Sequence, residues 1–64
     1  MEVFIEKTRE KKNINFNGKV ISLLGKLNIN PETVIIVRDN ELVTEWDILT
    51  NKDKVKIMSV ISGG

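Results

Sequence analysis

Sixty-four residues, with ten Lys and Arg against nine Asp and Glu for a net charge of +1, set the expectation of one domain spanning 1–64 with no strong field for a polyanion partner. The chain has no Cys, His or Tyr, which excludes nucleophilic triads, thiolate chemistry, imidazole acid-base catalysis, a disulfide staple and the usual structural zinc. A chain this short buries only about 60% of the surface its unfolded form exposes, so the fold must rest on close packing of Val, Ile and Leu.

Met1 to Glu6 alternates in the period of two expected of a half-buried strand, with Val3 and Ile5 on one side and Glu2, Phe4 and Glu6 on the other. Thr8 to Asn13 is polar and reads as a turn. Ile14 and Phe16 resume the alternation, so residues 1–16 are expected to form an antiparallel hairpin. Asn17-Gly18 punctuates the chain, with Asn17 as the expected helix N-cap. Val20, Leu23, Leu24 and Leu27 then recur at i, i+3, i+4 and i+7, the apolar stripe of an amphipathic helix. Asn28 and Asn30-Pro31 stop it. Gly25 within the stripe costs about 1 kcal/mol against Ala, which implies either a short helix or a strand packed closely against it.

Val34 to Val37 is a continuous β-branched run, as in a central strand covered on at least one face. Asp39-Asn40 are residue types that tolerate positive φ and mark a tight turn into a short strand at Leu42 and Val43. Glu45 to Lys54 reads as irregular, with Trp46, Ile48 and Leu49 tucked beneath it. Val55 and Ile57 alternate in a final strand, and the chain runs on as Val60-Ile61-Ser62-Gly63-Gly64. Strand, strand, helix, strand, short strand, strand describes an α+β fold. The leading expectation is a β-grasp, a mixed sheet of four to five strands with one helix across one face; other folds place a single helix on a mixed sheet.

The end of the sequence carries the chemistry. Glycine lacks Cβ, so an extended Gly63-Gly64 threads a channel too narrow for other residues. A flexible tail of about residues 61–64 would then present the Gly64 carboxylate to a partner that adenylates it, and the acyl-adenylate would accept sulfur or a lysine amine. The alternative is a frayed terminus with no role. No catalytic side chain, metal or bound cofactor is assigned, and a conventional enzyme is not expected. There is no apolar run of about 20 residues and no signal-peptide pattern behind Met1-Glu2, so a cytoplasmic protein without a membrane partner is expected.

The segment from Asn30-Pro31-Glu32-Thr33 through Val43-Thr44, with Val55-Lys56-Ile57-Met58-Ser59-Val60-Ile61-Ser62-Gly63-Gly64, resembles the ThiS/MoaD sulfur-carrier family, and is similar to the archaeal ubiquitin-like modifiers. Met1-Glu2-Val3-Phe4-Ile5 resembles the first strand of ubiquitin. The resemblance implies a β-grasp fold and a carrier or co-substrate in place of a catalyst. It implies adenylation of Gly64 by a ubiquitin-activating-type enzyme that uses ATP, then a thiocarboxylate that donates sulfur through a synthase or thiolation enzyme. Ile61, Ser62 and Gly63 would give the tail its access. Thiamin, molybdopterin and tRNA thiolation all fit, with the short chain leaning toward thiamin; the rival reading is a modifier joined through Gly64 to target lysines. Two turns depart from the family, Asp39-Asn40-Glu41 where a glycine usually follows the asparagine, and Asn51-Lys52-Asp53 where Asp-Gly-Asp is usual.

Met58 and Val60 form an outward apolar patch for partner docking, or else cover the sheet edge or pack on Trp46; Phe4 joins that face or is a lone surface aromatic. Lys7, Arg9, Lys11 and Lys12 are interrupted by Glu10 and lack interleaved aromatics, so they read as a solvated turn and no direct nucleic-acid contact is expected. Asp39, Glu41, Glu45, Asp47 and Asp53 match no EF-hand spacing and read as solvated loop charges, the alternative being that some pair with basic groups on a partner enzyme.

Overall fold

A computed structural model gives the fold, and residues 1–60 are the ones described. The strands are β1 (Glu2–Ile5), β2 (Glu10–Asn13), β3 (Gly18–Lys19), β4 (Val34–Arg38), β5 (Glu41–Val43), β6 (Ile48–Leu49) and β7 (Lys54–Ser59), with one helix, α1 (Val20–Lys26), and a 3₁₀ turn at Pro31–Thr33. Five strands make one sheet in the order β2-β1-β7-β4-β5, while β3 and β6 form a separate two-stranded ribbon. The first and last strands run parallel at its middle, with Val3 beside Val55 and Ile5 beside Ile57. The remaining pairings are antiparallel.

Alternation along these strands puts Val3, Val55, Ile57 and Ile36 on one face, where they are buried with Val20, Leu23 and Leu24 of α1 and with Leu49. The helical stripe therefore has its partner in the sheet, and Leu27 packs half-buried at its end. The helix is seven residues long. No atom approaches within 4 Å of a Cβ built on Gly25, so the short helix, and not a close strand, accounts for that glycine.

Four features of the sequence reading are corrected. The second strand of the hairpin is Glu10–Asn13, inside the stretch read as a turn, and Ile14 and Phe16 follow it as half-buried residues packed against the core. The turn itself runs over Glu6–Arg9, with Arg9 at φ 56 and its N–H donating to the Glu6 carbonyl at 3.2 Å. Asn17 does not cap the helix. The cap position is Lys19, with no side-chain hydrogen bond, because carbonyls from a distant loop do the work. Val20 N–H donates to the Asp47 carbonyl and Ile21 N–H to that of Glu45, both at 2.9 Å, meeting the need of the first helical amides for acceptors. Glu45–Lys54 is not wholly irregular, since Ile48–Leu49 pairs with Gly18–Lys19. Of the three residues expected beneath it only Leu49 is buried; Trp46 is 61% and Ile48 56% exposed.

Both turns that depart from the family pattern close without glycine. Asp39 and Asn40 sit at φ 50 and 69, the left-handed pair of a two-residue hairpin. In the other, Asp53 accepts from Thr50 N–H at 2.8 Å through its carboxylate, and its own N–H donates to the Thr50 carbonyl at 3.0 Å. Asn51 then ties this turn to the first hairpin. Its Oδ1 accepts from Met1 N at 2.9 Å and Phe16 N–H at 3.1 Å, while its N–H donates to Asn17 Oδ1 at 2.9 Å. Helix α1 ends in a Schellman motif, with Asn28 at φ 62, Asn28 N–H donating to Gly25 and Ile29 N–H to Leu24.

Candidate functional site

The sheet face opposite the helix is uncovered among the described residues, and pairing register fixes what it carries. Phe4 lies across from Lys11 on one side and Lys56 on the other. Lys56 faces Val37, Met58 faces Ile35, and Val37 faces Leu42. Alternation places all of these on the outer side, together with Glu2 and Lys54, their neighbours in register. The outer face thus carries Phe4, Val37, Ile35, Met58 and Leu42, with Lys56 set between Phe4 and Val37 and with Lys11 and Lys54 at the margin. The sole carboxylate of β1 on this face, Glu2, is paired to Lys11 at 3.6 Å. A shallow depression of about 370 Å³ lies between Phe4, Val37 and Lys56.

The base of the tail is anchored beside that band. Ser59 lies across from Val34 at the end of β7, and Val60 N–H donates to the Thr33 carbonyl at 3.0 Å. Thr33 is held in its turn by Asn30, whose carbonyl accepts from both the Thr33 N–H (3.1 Å) and hydroxyl (2.8 Å). β7 therefore ends at a fixed point next to Ile35 and Met58.

Of the residues singled out for partner docking, Phe4 and Met58 share the outer face as half-buried side chains, and Val60 follows β7 at 48% exposure. Met58 faces Ile35 across the sheet, and Trp46 lies in the Thr44–Asp47 turn that follows β5. Ile61, Ser62, Gly63 and Gly64, the residues of the tail, lie outside the described residues. Sequence reading missed Ile35, Val37 and Leu42 as members of the face. Their signal was available in the hairpin register: a two-residue turn at Asp39-Asn40 forces Val37 opposite Leu42.

The basic residues near the first turn lie apart from the apolar band, except Lys11; Lys12 pairs with Glu10 at 3.9 Å. Several acidic residues serve the loops: Asp47 accepts from Thr44 N–H at 2.6 Å and Asp53 from Thr50 N–H at 2.8 Å. Among the described residues no group of three or more carboxylates is placed to hold a metal ion, and no helix is long and apolar enough to cross a membrane.

A mixed five-stranded sheet with its first and last strands parallel at the centre, crossed on one face by one helix, is a β-grasp fold of the α+β class. The model of the ThiS family matches residues 3–64. The chain is 38% identical over 56 residues to the "Sulfur carrier protein TtuB" of Thermus thermophilus, covering 88% of this chain and 86% of that protein. It is 39% identical over 62 residues to an uncharacterized protein of Archaeoglobus fulgidus, covering 95% and 91%. This chain belongs to the ThiS family.

Proposed function

We propose that this chain is a sulfur carrier, a co-substrate and not a catalyst, whose reactive group is the carboxylate of Gly64. The observation that carries the reading is the family match running through to residue 64, alongside a relative named as a sulfur carrier. In the first step a Gly64 carboxylate oxygen attacks the α-phosphorus of ATP in an activating enzyme of the ubiquitin-activating type, and pyrophosphate leaves. Hydrosulfide-level sulfur from a donor then attacks the acyl carbon of the adenylate, the bond from that carbon to the phosphate oxygen breaks, and AMP leaves with its electron pair. The product is a C-terminal thiocarboxylate, which gives its sulfur to a synthase or thiolation enzyme of thiamin, molybdopterin or thiolated-tRNA formation.

The chain's own contribution is positioning. Gly63 and Ser62 slim the approach to Gly64, and Ile61 links it to the anchored Val60. Phe4, Met58 and Val60, with the band around them, are the surface on which the activating enzyme orients the carrier. An absence of cysteine supports the reading, because no thiol of the same chain competes for the activated carbonyl.

The test is intact mass after incubation with ATP, sulfide and an adenylating partner already active on another carrier, followed by a thiol-selective alkylating reagent. Because the chain has no Cys, an alkylated adduct that fragments to Gly64 establishes the thiocarboxylate. Alkylation is needed because oxidation of Met1 or Met58 adds nearly the same mass as exchanging oxygen for sulfur. The same spectra check that Gly64 bears a free carboxylate. Absence of the adduct overturns the carrier reading, and isopeptide linkage of Gly64 to target lysines would replace it with that of a protein modifier.

A further inference from the structure

The second surface of interest lies at the far edge of the sheet. β5 is an edge strand, and an open groove of about 590 Å³ runs beside it. Its apolar lining includes Leu24, Val43, Pro31 and Trp46, together with Ile35 and Leu42 of the outer face. The charged residues lining it are Glu32 and Glu45, and no Lys or Arg lines it. On a molecule with more basic than acidic residues, this is a local acidic site, opposite in sign to the lysine-edged outer face.

The turns that flank the groove are held by hydrogen bonds. Trp46 sits in a turn fixed by three hydrogen bonds: Thr44 N–H to Asp47 Oδ2 at 2.6 Å, Asp47 N–H to the Thr44 carbonyl at 3.2 Å, and Trp46 N–H to Thr44 Oγ1 at 3.2 Å. The Lys19 ammonium stands 5.9 Å from the centre of the Trp46 ring, and the Glu45 carbonyl is tied to Ile21. Opposite, Pro31 and Glu32 belong to the turn capped by Asn30, whose Oδ1 accepts from Glu32 N–H at 3.0 Å.

The edge of β5 supplies hydrogen bonding as well. With Arg38 facing Glu41 across a two-residue turn and Ile36 facing Val43, those pairs exchange the ladder hydrogen bonds, and the N–H and carbonyl of Leu42 between them point to the free side. Leu42 is 74% exposed. Beyond it the edge closes, because Thr44 N–H and carbonyl are taken by Asp47. Among the described residues, one free pair of main-chain groups, an apolar lining and two carboxylates therefore lie together.

We infer that this groove docks an extended segment of a partner protein, which adds to β5 through Leu42 and sets basic side chains against Glu32 and Glu45. Charge selects the occupant. An acidic segment, or a carboxylate such as that of a C-terminal tail, meets repulsion from both glutamates, whereas a basic one is drawn in. Addition to a free edge gives main-chain affinity, and side chains give specificity. The inference stands independently of the tail chemistry; the groove shares Ile35 and Leu42 with the outer face, and Phe4 and Met58 are not among its lining.

Trp46 is the only tryptophan and reports on the groove directly. The probe is a capped hexapeptide alternating Lys with Val, titrated at low salt into the 64-residue protein, with amide shifts followed in parallel. A saturable change in Trp46 fluorescence is expected, with shifts at Glu41, Leu42 and Val43. A Glu-for-Lys peptide should bind about fivefold or more weakly, and N-methylation of the central peptide amide should cost about fivefold. The double variant Glu32→Lys/Glu45→Lys should reverse the preference and take the Glu peptide, a gain that also proves the variant folded. Equal binding of both peptides, shifts centred on Phe4 and Met58, or no response at millimolar peptide would each overturn the inference. So would a Trp46 signal that changes on removing residues 61–64, which would make the tail itself the occupant.

Discussion

The two faces of the sheet are made by the same strands and differ in almost everything else. The inner face puts Val3, Ile36, Val55 and Ile57 against the helix at 5% exposure or less. The outer face alternates with it residue by residue, and carries Phe4, Ile35, Val37, Met58 and Leu42 among lysines. A soluble sheet ordinarily turns polar on its open side. Here the open side keeps a band of apolar residues, of which Leu42, 74% exposed, should cost the fold little when removed. On the proposed function, stability belongs to one side and partner recognition to the other, with one register serving both.

Replacing Leu23, fully buried on the inner side, tests the stability half of the comparison most severely. Leu23→Ala should lose about 2–5 kcal/mol in urea denaturation, enough to unfold much of a population this small in core; a loss below 1 kcal/mol would show that the helix does not anchor the sheet. Next comes Gly18→Ala. Gly18 stands at φ 148, and a Cβ there would meet the Phe16 ring at 3.2 Å, so a loss of about 1–3 kcal/mol is expected from the same measurement.

Asn51→Ala removes the acceptor shared by Met1 N and Phe16 N–H. Both donors are partly open to water, so the cost should be about 1 kcal/mol, and hydrogen exchange should quicken at Phe16 while Ile36 stays protected. The smallest effect is expected on the outer side. Leu42→Ser and Lys56→Glu should each leave thermal stability within about 0.5 kcal/mol of the parent, yet weaken binding to whichever partner reads their surface. If either destabilises as strongly as Asn51→Ala, the division between the faces fails.

The inner face was the legible one. The spacing of Val20, Leu23, Leu24 and Leu27 named the helix, and Val55 with Ile57 named the last strand, because burial on one side leaves a period in the sequence. The pair Asp39-Asn40 named its turn because few other residues accept positive φ. β2 escaped because all four of its residues are exposed, so a strand on the sheet edge left no alternation to find. The helix start escaped because its acceptors come from Glu45 and Asp47, more than twenty positions away in sequence. Trp46 was misplaced for a related reason: large apolar area suggests burial, but a side-chain-locked turn holds the ring outward. Of the candidate site, Phe4 and Met58 could be placed by alternation alone. In the run Val34-Ile35-Ile36-Val37, where every residue is apolar, only pairing with β5 and β7 tells the faces apart. The acidic groove depends on which strand ends the sheet, a matter of topology that no local pattern encodes.

The middle position of β7 has a consequence for synthesis. A chain emerging from the ribosome presents β1, β2, the helix, β4 and β5 in turn, and domains form from the N-terminus onward as they appear. Here β1 and β4 are not neighbours; both wait for β7, which alone pairs with each of them. An interrupted chain therefore holds two separate hairpins with their apolar sides unmatched, a form fit for proteolytic clearance. A molecule that has closed its sheet has therefore already received residues 54–59, so a closed fold records that synthesis reached the last strand.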